Sequence, residues 1–241
     1  MSSRHLEGVK SMLFSKPKPR WVKIQDPVAH AEAHSPLRSP ESTVRDTWGA
    51  PAACYTTTAH FGNIGGVRYY NNCGPTAVTN LICMYRQKFK GQTVDPDTAK
   101  EIYDRVAKYG TSHLYFINSP SRLIHGTSDL RAGAYIRHCF SRIEGFVPQV
   151  RLLPLTEKNA IRSLEQGALL YLMLLGHPEY GSHHLVGCGY TVVRDPSTGE
   201  KKTYIKLCDG HNAAPRYLDT GDFRRHPGAY YAVQFSKERS R

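Results

Sequence analysis

No stretch of this chain is apolar enough to cross a bilayer. The longest apolar run, Ala168 to Gly176, falls well short of the ~20 residues a spanning helix needs. No Cys-x-x-Cys pair occurs among the six cysteines, Cys54, Cys73, Cys83, Cys139, Cys188 and Cys208. Their wide scatter argues against a zinc ribbon and against the dense disulfide framework of a small secreted domain. Near the start, Lys16-Pro17-Lys18-Pro19-Arg20 stands where a secretory signal needs an unbroken apolar core. A cytoplasmic location is therefore the default expectation, with export lacking a cleavable signal left open. Acidic residues are in short supply: 20 Asp and Glu face 32 Lys and Arg, for a formal charge of +12, which favours acidic partners. Yet no basic run exceeds a pair such as Lys201-Lys202 or Arg224-Arg225. Without a recognition helix or basic arm, nucleic acid is not the expected partner.

What is present suits a globular core, because 40% hydrophobic residues and 15 tyrosines supply enough apolar surface to offset ordering entropy at this length. Residues 1–50 mix Ser, Pro, His and both charges without a sustained period, and Ser35-Pro36-Leu37-Arg38-Ser39-Pro40 reads as linker. This basic segment is expected to be an appendage to a domain spanning residues 51–241. A flexible tail, a pro-segment over the active site and a docking segment are the three readings. Within the domain, Val78, Leu81, Ile82 and Tyr85 fall on one helical stripe, with Pro75 suited to the first turn. Ala99, Ile102, Tyr103 and Val106 repeat the stripe after Asp95-Pro96-Asp97, a helix start. Ser128 is expected to cap a helix reaching Phe140, and Thr156 one reaching Gln166 before Gly167. The second half changes period. Ala168–Leu175, Leu185–Val193, Thr203–Leu207 and Ala229–Phe235 are short apolar runs between turn residues, the pattern of strands. The fold class is α+β, helices first and a small antiparallel sheet after.

Three motifs carry chemistry. Asn71-Asn72-Cys73-Gly74-Pro75 puts a cysteine on the first residue of the amphipathic helix. Unpaired N–H groups and the helix dipole are expected there to lower a thiol pKa and to receive an oxyanion. Gly181-Ser182-His183-His184-Leu185-Val186-Gly187-Cys188-Gly189-Tyr190 carries two histidines into an apolar strand. Tyr204-Ile205-Lys206-Leu207-Cys208-Asp209-Gly210 ends the next strand in a carboxylate. Thiol, imidazole and carboxylate together make a nucleophilic centre. Alternation sends His183 and Leu185 to one face and His184 and Val186 to the other, so only one histidine can point at Cys73. A metal site built from His177, His183, His184, Cys188, Cys208 and His211 is a weaker reading, because the spacing matches no known ligand pattern.

Over roughly residues 55–235 the chain resembles the papain-like cysteine peptidase superfamily, its bacteriocin-processing-like and streptopain-like bacterial branches above all. The resemblance implies a helical half opened by the nucleophile and a β-rich half carrying the base. It implies Cys73 as nucleophile, and His183 as base because Gly189-Tyr190 follows at the family's spacing. It implies Asp209 as the orienting residue, five after Tyr204, with Asn212 as the fallback. The family's oxyanion glutamine is replaced by Val67, leaving Asn71, Asn72 or Asn63 to serve. The implied activity is hydrolysis of a peptide or protein substrate through an acyl-enzyme, with no cofactor and no metal. An acyltransferase, transglutaminase or amidase on the same fold is the alternative.

Overall fold

The computed structural model describes residues 23–34, 41–45, 54–56, 63–64, 67–68, 71–118, 125–226 and 228–235. The fold is mixed α+β. The chain begins with α1 (Pro27–His34) and β1 (Glu41–Arg45), followed by a short pair, β2 (Asn63–Ile64) and β3 (Val67–Arg68). The helical part is α2 (Cys73–Lys90), α3 (Pro96–Ser112), a small hairpin of β4 (Phe116–Asn118) and β5 (His125–Thr127), and α4 (Ala132–Glu144). Then β6 (Gln149–Pro154) and α5 (Glu157–Glu165) lead into β7 (Leu169–His177), β8 (Gly181–Arg194), β9 (Lys201–Cys208), β10 (Arg216–Asp219) and β11 (Gly228–Gln234).

The helix boundaries follow local chemistry. The Asp95 side chain accepts from Thr98 N at 2.7 Å with Pro96 in the first turn of α3, and Thr156 accepts from Asn159 N at 3.2 Å to open α5, as expected of N-caps. Gly91, with φ of 60°, ends α2 in the left-handed region where a Cβ would be penalised. Ser128 makes no capping bond. A 3-10 turn, Asp129–Arg131, occupies the expected first turn of that helix, and α4 runs on to Glu144.

The strands form one antiparallel sheet in the order β10-β9-β8-β7-β11-β6, and β1 lies beside β8 beyond the end of β7. Its two faces are covered differently. Val78, Leu81 and Ile82 of α2, with residues of α3 and α4, pack on Tyr171, Met173, Val186 and Cys188. Ala160 and Leu164 of α5 pack on Leu170, Leu172, Leu185 and Leu207 from the other side. Each fully buried aliphatic side chain here contributes roughly 1.5–3 kcal/mol.

Three findings revise the reading of residues 1–50 as an appendage. Ile24 bridges Tyr217, and Ala31 of α1 is buried against Val193 and Tyr204. β1 pairs with β8 from Glu41↔Arg194 to Arg45↔Tyr190. Residues 23–34 and 41–45 thus belong to the folded body, because they cover an edge and a corner of the sheet that would otherwise face water; residues 1–22 lie outside the described set. Cys54 and Cys208 form a disulfide that ties the segment before α2 to the end of β9. Nothing in the spacing of those two cysteines marks them as partners.

Candidate active site

Cys73 is the first residue of α2 and is half-buried. The helix can start there under the β4–β5 hairpin only because residue 74 is glycine: a Cβ on Gly74 would lie 1.8 Å from Thr127 Oγ1. Burial pushes the Cys73 thiol above its ordinary pKa and the Asp129 carboxylate adds to this, while backbone N–H groups of His184, Gly74 and Cys73 itself pull the other way. The net direction is up. This corrects the expectation of a lowered thiol pKa, since desolvation of the anion outweighs the helix terminus.

The two histidines are divided by the sheet. His184 pairs in register with Met173, which faces α2, and His183 with Leu174, which faces α5. The structure therefore places His184 on the side of Cys73 and His183 on the opposite side. The His184 Nε2 lies 3.0 Å from Asp129 Oδ1, and Nδ1 lies 2.5 Å from the Tyr171 hydroxyl. A carboxylate only accepts, so Nε2 carries the proton and donates to Asp129; Nδ1 is then the basic nitrogen and accepts from Tyr171 O–H. The His184 bond holds the Asp129 carboxyl below the usual carboxylate range. Tyr171 is fully buried, and its phenol is pushed well up by that burial and then by the nearby Cys73.

His183 and Asp209 lie together but away from Cys73. His183 is 4% exposed; its Nε2–H donates to the backbone carbonyl of Asp209 at 2.6 Å. Its ring stacks between Tyr180 and His211, 4.2 Å from the latter. Burial, and then the His211 charge, push its pKa down to about 3, so this is a neutral core imidazole. The Asp209 carboxylate accepts from His211 N at 2.9 Å, Asn212 N at 2.8 Å and Asn212 Nδ2 at 2.7 Å, and pairs with Lys23 at 3.3 Å. Burial alone would raise its pKa, but Lys23 and those donors hold it below the usual range. Its role is to close the turn after β9. The fallback Asn212 is engaged in the same turn.

The reason for this correction is a bulge. Register shifts between Gly187 and Gly189 opposite Leu207 and Lys206, which turns Tyr190 to the α5 side with Leu185. Counting back from Gly189-Tyr190 along an unbroken strand thus selects the histidine on the face away from Cys73. Sequence reasoning missed Asp129 and Tyr171 as neighbours of the imidazole. Asp129 carried only a helix-start signal and Tyr171 only a strand signal.

Of the oxyanion candidates, Asn72 is buried and donates to the Tyr103 hydroxyl at 3.0 Å. Asn71 is exposed and holds a left-handed φ of 53° at the turn before α2. The Asn63 side chain lies outside the described residues. The residues of the weaker metal reading are split between faces, and Cys208 is in the disulfide. Among the described residues no group of three or more His, Cys, Asp or Glu side chains is arranged to hold a metal ion. No helix among the described residues is long and apolar enough to cross a membrane. Comparison of the sequence with protein-family models and with curated proteins finds no match.

Proposed function

We propose that the chain is a cysteine hydrolase of papain-like type, a peptidase acting on peptide or protein substrates, with Cys73 as nucleophile, His184 as base and Asp129 as the orienting carboxylate. One observation carries the reading: an imidazole fixed in one tautomer by Asp129 lies on the α2 side of the sheet, and its own backbone N–H reaches the Cys73 sulfur. Because burial keeps the thiol neutral at rest, the proton leaves as the substrate carbonyl arrives. It reaches Nδ1 across the Tyr171 hydroxyl, which gives its proton to the imidazole and takes the thiol's. The sulfur attacks the carbonyl carbon, and backbone N–H groups at the start of α2 receive the oxyanion. The imidazolium then protonates the leaving amine. A water, deprotonated by the same nitrogen, splits the thioester and regenerates the thiol. The Cys54–Cys208 disulfide supports an oxidising compartment, since such bonds seldom persist in the cytosol.

The test is alkylation by iodoacetamide across pH, with the adduct located by mass spectrometry. Cys73 is expected to react before Cys83, which burial raises to about 12. Its rate is expected to fall in His184→Ala and to hold in His183→Ala. A Cys73 no faster than Cys83, or a rate indifferent to His184, removes the basis of this reading. Adding an amine acceptor to the turnover assay separates hydrolysis from acyl transfer.

A further inference from the structure

A recess lies on the α5 side of the sheet, the face turned away from Cys73. It is a groove of about 1110 Å³ between α5 and the 3-10 turn Thr220–Arg224. Leu155, Ile161 and Phe223 supply apolar lining, and Lys158, Arg162, Arg224 and Arg225 line it as well. All four cations are exposed, and none is in an ion pair with a described residue. The two acidic lining residues are exposed as well, but each carboxylate is already engaged by neighbouring hydroxyls. Glu157 accepts from the Thr203 and Thr220 hydroxyls at 3.1 and 2.9 Å, and Glu165 accepts from the Tyr190 hydroxyl at 2.8 Å. Four cations against two carboxylates leave the lining net positive.

We infer that this groove docks an acidic peptide segment of a partner protein, one that carries a large apolar side chain among its carboxylates. The apolar walls take the side chain, and the guanidinium groups take carboxylates in bidentate fashion. The net charge of +12 steers such a segment in. A nucleic acid fits less well. Phe223, the aromatic side chain in the lining, is buried, so the groove presents no exposed platform on which bases could stack. The inference is independent of the chemistry assigned to Cys73.

Fluorescence anisotropy tests it, using the full chain and a fluorescein-labelled glutamate-rich peptide with a single leucine. Saturable binding is expected, weakening as salt rises. Binding should fall about tenfold or more when Arg162→Glu and Arg224→Glu are combined, and fall again when the leucine is replaced by serine. Circular dichroism checks the fold, and the neutral pair Lys158→Gln with Arg225→Gln supplies the same reading should the charge-reversed protein not fold. Failure of the peptide to bind, or binding unchanged in the folded variants, overturns the inference. So does a single-stranded oligonucleotide of equal charge that binds as tightly and displaces the peptide, since that marks a general polyanion surface.

Discussion

His183 and His184 are neighbours in sequence, yet the two faces of the sheet make them different groups. On the α5 face, His183 is sealed between Tyr180 and His211 with its proton committed to a backbone carbonyl. On the α2 face, His184 directs its Nε2 proton at a carboxylate and accepts from the Tyr171 hydroxyl at Nδ1, while its backbone N–H reaches the Cys73 sulfur. One is a neutral imidazole enclosed in the core, the other an imidazole hydrogen-bonded at both ring nitrogens and assigned the base's role in the proposed mechanism. The contrast teaches that residue type and strand membership do not set the state of an imidazole; the partner on each nitrogen does.

The sharpest way to break this contrast is to remove each ring in turn. His184→Ala should lower kcat/KM on a peptide substrate by about 10³-fold or more. His183→Ala should leave it within a few-fold but lower the unfolding free energy by about 2–3 kcal/mol, read from urea midpoints, because a cavity and an unpaired Asp209 carbonyl remain. The reverse pattern would move the chemistry to the α5 face. Next in size, Asp129→Asn should cost about 10²-fold in kcat, as the tautomer that frees Nδ1 is no longer enforced; Asp209→Asn should act on stability and leave kcat nearly unchanged. Tyr171→Phe, which keeps the packing and removes the hydroxyl at Nδ1, should slow turnover about tenfold with little change in KM. An unchanged kcat would mean that the proton passes directly from thiol to imidazole.

The smallest effect concerns pH. Glu179 is raised from its ordinary 4.5 to about 7, by burial first and then by Asp222. An acid whose folded pKa exceeds its unfolded one binds its proton more tightly when folded. Stability therefore declines on this account as pH rises from about 4.5 to about 7. The His183 contribution has the opposite sense: its folded pKa lies below the unfolded value, so stability held above about 6.5 is lost as pH falls toward about 3. Glu179→Gln should remove the first decline and raise stability at pH 8 by roughly 1–2 kcal/mol after allowance for its partial exposure. Equal stability curves for the variant and the parent protein would sink this.

Much of the fold was legible because it rests on local rules. The stripe of Val78, Leu81, Ile82 and Tyr85 lies in α2, the Asp95 and Thr156 caps open α3 and α5, and the four apolar runs match β7, β8, β9 and β11 within a few residues. Besides the two short hairpins, three strands of the large sheet escaped. β6 is largely exposed and too short and mixed to show a strand period, β10 has only four residues, and β1 lies in a stretch whose composition resembles a linker. Cys73 was legible as the start of a helix, where the structure has it.

The remaining site residues were decided in three dimensions. Sequence by itself determined the period of the longer elements, several of their caps, and that adjacent strand residues oppose one another, so that at most one of the two histidines could face Cys73. Which one depends on the parity of β8, and a single extra residue between Gly187 and Gly189 reverses parity without changing composition or hydrophobic pattern. The placing of Asp129 beside His184, of Lys23 on Asp209, and of Cys54 on Cys208 joins segments far apart along the chain. Such contacts follow from how helices and sheet pack, and no local propensity encodes them. The thiol pKa belongs with them. A helix N-terminus is a local feature, but the burial that overrides it is set by the hairpin and strands folded over Cys73.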